Sequence, residues 1–161
     1  MLHKGYTLLF AVLLSSVVLS IAVSVLNIAR KEVLLSSSAR ESAFAIYVAD
    51  GAVDCAIYHD GAQQFRGTTQ TPVLCGGINR TVLVTNPTGY TRYEFFVSDA
   101  VDITSPCARV TVDRYPAAGS VPAKTIIEAR GYNLGYNSAT GKCDASHPRK
   151  VERAFRYSYN Q

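Results

Sequence analysis

The sequence predicts an α+β protein in which one long N-terminal helix precedes a mostly antiparallel β-sheet. The chain contains no proline before Tyr58, and its apolar residues recur at helical intervals there. From Thr81 onward, runs rich in β-branched and aromatic residues alternate with proline and glycine, which is the pattern of strands joined by turns. A helix followed by consecutive strands is typical of the α+β class.

The first half of the helix is predicted to span a membrane. No charged residue interrupts the run from Tyr6 to Ala29, which lies between Lys4 and Arg30. At a rise of about 1.5 Å per residue this run is about 36 Å long, and a bilayer hydrocarbon core is about 30 Å thick.

Three interpretations of this segment remain open from hydropathy alone. A cleaved secretory signal has an apolar core of about 7 to 15 residues and a small-residue cleavage site, and this run is longer and lacks a convincing site. A single-pass anchor fits the length, although Lys4 on one side and Arg30-Lys31 on the other orient it weakly. The third interpretation depends on the residues around Gly5 and is given below.

The second half of the helix, from Arg30 to Tyr58, is predicted to be amphipathic. Only Gly51 weakens its helix propensity. A predicted apolar face recurs at three- and four-residue intervals and consists of Leu35, Ala39, Ser42, Ile46, Ala49, Val53 and Ile57.

Five strands are predicted beyond the helix: Thr81–Thr85, Tyr93–Val97, Arg109–Arg114, Thr125–Ala129 and Val151–Tyr159. Residues 60–80 are predicted to form a long exposed loop, and residues 131–149 a second irregular segment. In the last strand the bulky odd-numbered residues are expected to face the helix. Arg153 would then need a partner near the sheet edge, for which we expect Asp50 or Asp54.

The four cysteines predict two disulfides if this part of the chain lies outside the cytoplasm. Their separations of 20, 32 and 36 residues lack the close pairs that zinc sites favour. Of the three possible pairings we favour Cys55 with Cys75 and Cys107 with Cys143. Four buried thiols in a reducing compartment are the alternative.

The leader and two further parts of the chain resemble one family. Lys4-Gly5-Tyr6-Thr7-Leu8-Leu9 resembles the type III signal of type IV pilins and pseudopilins. The helical segment Arg40–Ala56 is similar to the corresponding segment of PilX-type minor pilins. The C-terminal half resembles the same family in Ser105–Val112, Thr125–Asn133 and Val151–Ala154, so that the resemblance covers most of the chain.

The resemblance implies how the protein is processed, where it is located and with what it assembles. A prepilin peptidase would cut between Gly5 and Tyr6, removing residues 1–5 as a leader, and the new Tyr6 amine would be methylated. Residues 6–29 would form the transmembrane and filament-core helix, and residues 30–161 an extracytoplasmic head. The implied partners are other pilin subunits and the inner-membrane assembly platform. The precursor would lie in the bacterial cytoplasmic membrane and the product in an extracellular filament.

At one position the residue differs from the one that is typical of the family. Major pilins carry a glutamate five residues into the mature chain, and here that position is Phe10. Tip subunits of pili and pseudopili often lack this glutamate, so the resemblance implies a place at a filament end. A lineage whose pilins all lack the glutamate is the alternative.

We expect no catalytic, cofactor-binding or metal-binding residue. None of the three histidines lies in a recognisable nucleophile or metal motif, and His59-Asp60 is interpreted as a solvated helix cap.

DNA binding is the alternative function for a minor pilin, beside that of a simple membrane-anchored binding module. Beyond Lys4 the chain holds 15 of its 16 basic residues against 12 acidic ones, a net charge of +3. Arg149, Lys150 and Arg156, interleaved with aromatic residues, are the candidate contacts. A last strand whose charges simply face water is the simpler interpretation.

Overall fold

The computed structural model describes residues 3–67, 71–98, 104–144, 146 and 148–161. One helix, α1 (His3–Gly61), is followed by nine strands, which confirms the predicted α+β arrangement. The strands are β1 (Val73–Cys75), β2 (Ile78–Arg80), β3 (Leu83–Thr85), β4 (Thr91–Val97), β5 (Cys107–Tyr115), β6 (Lys124–Tyr132), β7 (Tyr136–Asn137), β8 (Lys142–Cys143) and β9 (Glu152–Asn160). The chain divides at Arg40 into two units, which are described separately.

The first unit consists of α1 residues up to Arg40. Every side chain from Tyr6 to Arg40 is exposed, and the most apolar window of the helix has a mean hydropathy of 2.7. The hydroxyls of Ser15 and Ser24 donate to helix carbonyls at 2.9 Å, so these polar groups are satisfied without water. By length and composition, α1 is able to cross a membrane.

The second unit, Glu41–Gln161, is called here the β-sheet unit. Its main sheet has the order β3-β4-β5-β6-β9, and all neighbouring strands are antiparallel. One sheet face packs on α1, and its buried side chains include Phe95, Val110, Val112, Ile127 and Ala129.

The helix face that contacts the sheet agrees with the predicted one at Ala49 and Val53 and differs from it elsewhere. Its buried residues are Ala45, Ala49, Ala52, Val53 and Ala56, whereas Ile46 is 38% exposed. The close approach of Gly131 in β6 explains the difference. A Cβ atom at Gly131 would overlap the carbonyl oxygen of Ala45 and lie 2.8 Å from Ala49 Cβ. The sheet comes so near the helix that alanines, rather than larger apolar residues, form the contact.

The two segments predicted to be irregular both contain hairpins. Cys75 pairs with Ile78, so Gly76 and Gly77 are the two central turn residues, with φ of 60° and 76°. Positive φ at both positions is what a two-residue type I′ hairpin requires, and glycine adopts it without strain. The expected exposed loop over residues 60–80 was therefore wrong in part, and it also contributes buried Phe65 and Val73 to the core.

In the second segment, β6 continues to Tyr132 and a short β7–β8 hairpin follows. The Gly-Gly dipeptide before Ile78 was a usable hairpin signal in the sequence. The two-residue strands β7 and β8 offered no comparable signal.

Strand β9 is an edge of the main sheet. Phe155 and Tyr157 pair with inward-facing Ala129 and Ile127, so the odd-numbered residues do lie on the helix side. They remain 39% and 50% exposed, although Arg153 and Tyr159 of the same strand contact side chains of α1.

The expected partner of Arg153 was wrong. Its Nε donates to Ser42 Oγ at 2.9 Å, and Asp50 and Asp54 are exposed.

The disulfides join Cys55 to Cys75 and Cys107 to Cys143, the pairing that the sequence analysis favoured. The first ties α1 to β1, with a Cα–Cα distance of 5.8 Å. The second ties β5 to β8 at 5.7 Å. In a chain-entropy model each contributes about 3 kcal/mol to stability.

Candidate functional site

The N-terminal candidate site is the junction of Gly5 and Tyr6. Both residues lie in α1, where Tyr6 is 72% and Phe10 is 53% exposed. Met1 and Leu2 of the predicted leader lie outside the described residues. The helix exposes its apolar side chains from Tyr6 to Leu35, which leaves a large apolar area open to solvent. Lipid or other apolar helices would cover it.

The C-terminal end of α1 is buried, so the interpretation of His59-Asp60 as a solvated cap was wrong. His59 is 4% and Asp60 3% exposed. The Asp60 carboxylate accepts hydrogen bonds from the Arg114 guanidinium and the Tyr159 hydroxyl, and from Gln161 Nε2 at 3.3 Å. We call Asp60, Arg114, Tyr159 and Gln161 the Asp60 cluster. It connects the helix end to β5, to β9 and to the C-terminal residue.

The electrostatics of the Asp60 cluster are those of a structural contact. Burial, then the hydrogen bond to Asp60 and the charge of Asp60, raise the pKa of Tyr159 to about 12. A folded-state pKa above the ordinary value of about 10 means that the neutral phenol stabilises the fold below pH 10, and that this contribution disappears as the pH rises through 12. Tyr159 therefore stays protonated at neutral pH and anchors the last strand.

His59 belongs to a different group of side chains. Its Nε2 donates to the Leu74 carbonyl oxygen at 3.0 Å, and its buried Nδ1 has no hydrogen-bond partner among the described residues. A ring nitrogen of His59 and the sulfur atoms of Cys55 and Cys75 lie within 4.8 Å of one another. The two sulfurs form a disulfide, and cysteine sulfur binds metal strongly only as a thiolate. The oxidised group therefore does not offer a zinc site.

This group was not predicted from the sequence. Cys55 and His59 stand four residues apart on one helix, a spacing that places them on one face. That signal was present, but the third member, Cys75, comes from a strand whose position the sequence does not reveal.

The sheet face opposite α1 carries several ion pairs. Arg92 contacts Asp113 at 2.7 Å, and Arg109 contacts Glu94 at 2.9 Å. Arg130 bridges Glu128 at 2.6 Å and Glu152 at 3.2 Å. An open groove of about 400 Å³ on this face is lined by the arginines of these pairs, by Asp113 and Glu128, and by Arg156. Four arginines and two acidic residues line it, so the groove has an excess of basic groups but is not uniformly basic.

Acidic residues lie beside two of the three candidate nucleic-acid contacts. Lys150 is held over the Tyr132 ring, 5.1 Å from its centroid, and lies 3.9 Å from Glu152. Arg156 is exposed and cross-strand from Glu128. Arg149 is exposed and precedes β9. A phosphate backbone that followed these residues would also meet Glu128 and Glu152, which weakens the attraction.

Comparison of the chain with protein-family models, with curated proteins and with solved structures found no match.

Proposed function

We propose that this chain is a structural minor subunit of a type IV pilus or a related pseudopilus, of the PilX type. The observation that carries the proposal is the composition of α1. This one helix contains an exposed apolar segment from Tyr6 and, from Glu41 onward, a segment that packs on an antiparallel sheet. The junction Lys4-Gly5-Tyr6 at its start supports cleavage by a prepilin peptidase. Two disulfides are in keeping with a head that matures outside the cytoplasm.

Assembly in this proposal is a transfer of the apolar helix from lipid to a helix bundle. Both surroundings are apolar, so the transfer itself contributes little free energy, and side-chain packing and electrostatics decide the register. The inner-membrane assembly platform extracts the subunit, and other pilin subunits cover its exposed side chains. The methylated Tyr6 amine is the charge that this apolar bundle must accommodate.

Phe10 supports a place at the filament end. A buried unpaired charge costs several kcal/mol, and a subunit without the glutamate leaves the amine of its neighbour unsatisfied. A subunit at the filament tip avoids this cost, because it has no preceding neighbour whose N-terminal amine needs a carboxylate partner.

The first test concerns processing. In cells that contain a prepilin peptidase, the mature protein is expected to begin at Tyr6 and to keep the apolar helix, as read by mass spectrometry of the N-terminal peptide. Gly5→Leu is expected to block cleavage, because the peptidase requires a small residue before the cut. Thr7→Ala is the matched control and should be processed normally. A mature N-terminus near residue 30 would identify a secretory signal, and an uncut wild-type chain would identify a simple anchor.

The second test concerns position in the filament. Immunogold labelling of a C-terminally tagged subunit is expected at filament ends only. Phe10→Glu restores the carboxylate and is expected to spread label along the shaft, whereas Phe10→Leu is not. Continuous wild-type labelling would refute the tip position and leave the pilin proposal standing, since it would point to a lineage without the glutamate.

A further inference from the structure

The buried end of α1 brings three side chains with metal-binding chemistry to one place. Cys55 and His59 lie one helical turn apart, and β1 places Cys75 beside them. Cys75 is 2% and His59 4% exposed, and Cys55 is half-buried. We call these three residues the Cys55 group.

One ring nitrogen of His59 is held by a hydrogen bond, as the second nitrogen of a metal-ligating histidine usually is. A ligating histidine almost always donates its second ring N–H to a carbonyl or carboxylate, which fixes the ring and its tautomer. Here Nε2 donates to the Leu74 carbonyl oxygen, so the other nitrogen, Nδ1, carries a lone pair. That lone pair has no hydrogen-bond partner among the described residues, although Nδ1 is buried. A buried acceptor without a partner costs about 1 to 3 kcal/mol, which a ligand would recover.

We propose that the Cys55 group binds Zn²⁺, or a metal ion of similar softness, when its disulfide is reduced. A dithiol reductant transfers two electrons and two protons to the Cys55–Cys75 bond. Two thiols form on the protein, and the reductant becomes a disulfide. Metal binding then releases the two thiol protons, and the metal keeps its oxidation state. The ligands are two thiolates and one imidazole nitrogen, with a fourth position left for water.

The dimensions suit zinc. With bonds of about 2.3 Å to sulfur and about 2.0 Å to nitrogen, a tetrahedral ion holds its ligand atoms roughly 3.5 to 3.8 Å apart. A ring nitrogen of His59 and the sulfur atoms of Cys55 and Cys75 already lie within 4.8 Å of one another, so shifts of about 1 Å complete the site. Thiolate and imidazole ligands also select zinc over magnesium or calcium.

The second disulfide provides the internal control. Cys107 and Cys143 have a similar Cα–Cα distance, 5.7 Å against 5.8 Å, and no metal-binding group among the described residues includes them. Metal is therefore expected to retard reoxidation of one disulfide and not the other. This site would be present while the thiols await oxidation, whichever structure the protein joins afterwards, so the inference is independent of the proposed function.

The test uses the full chain in detergent, reduced with a dithiol that is then removed without air. Added Co²⁺ is expected to bind at one ion per chain with thiolate-to-cobalt charge-transfer absorption, and Zn²⁺ is expected to displace it. His59→Gln should weaken Co²⁺ binding at least about tenfold, and Cys107→Ser/Cys143→Ser should leave it unchanged. Equal binding by the oxidised wild-type protein, or no binding by the reduced one, would overturn the proposal.

A second measurement avoids variants that fail to fold. Iodoacetamide labelling of the reduced wild-type chain, read by peptide mass spectrometry, is expected to be slowed by Zn²⁺ at Cys55 and Cys75 alone. Equal slowing at all four cysteines would show non-specific thiol binding and would refute the site.

Discussion

Replacing Gly131 with alanine is expected to destabilise the β-sheet unit by about 3 kcal/mol, the upper end of the usual cost of overpacking. The added Cβ would overlap the Ala45 carbonyl oxygen and lie 2.9 Å from the Ala49 backbone nitrogen. Both are atoms of the helix itself, or fixed by it, so no flexible side chain can move aside. The whole helix would have to shift away from β6, which would open the alanine-lined contact.

The measurement is denaturant unfolding of the full chain in detergent, followed by tyrosine fluorescence. The chain has no tryptophan, and all of its tyrosines except Tyr6 lie beyond Arg40, so the signal reports the β-sheet unit. Gly51→Ala is the matched control. Gly51 is exposed in α1, with no described atom within 4 Å of an added Cβ, so alanine there should stabilise by about 0.5 to 1 kcal/mol. Equal effects of the two substitutions would contradict the close contact.

Asp60→Ala is expected to cost about 3 kcal/mol, because removing one partner of a buried ion pair leaves the other charge uncompensated. The Asp60 side chain is 2% exposed and that of Arg114 16%, so water replaces the lost carboxylate poorly. The Tyr159 hydroxyl also loses its acceptor. Asp54→Ala, an exposed position on the same helix, is the control and should change stability by less than about 0.5 kcal/mol. Similar unfolding midpoints for the two variants would refute a structural role for the cluster.

A pH titration gives the same substitution a second readout. In the wild-type protein, tyrosinate absorbance should show Tyr159 ionising near pH 12, and stability should fall as the pH rises from 10 toward 12. Without Asp60 the pKa of Tyr159 should move down toward its ordinary value, since both the hydrogen bond and the negative charge are gone. A Tyr159 titration that is unchanged in Asp60→Ala would show that burial alone raises the pKa.

The local pattern of the sequence was enough to predict the main elements. The long helix follows from a proline-free apolar run, and the five strands of the main sheet follow from β-branched and aromatic runs between turn residues. The cysteine count predicted two disulfides, and of the three possible pairings the favoured one is observed. These features depend on backbone propensity and on side-chain periodicity, which are properties of neighbours in the chain.

The tertiary structure alone decided which surfaces of those elements meet. The spacing of apolar residues predicted Ile46 for the helix contact, but the close approach of Gly131 brings the sheet against Ala45 and Ala49. A polar pair at a helix end is ordinarily solvated, yet Asp60 is buried because Arg114, 54 residues away, supplies a charge. Cys75 reaches His59 only because β1 folds back on α1. Each of these contacts joins residues distant in sequence, whose burial and electrostatic partners are set by chain packing rather than by local propensity.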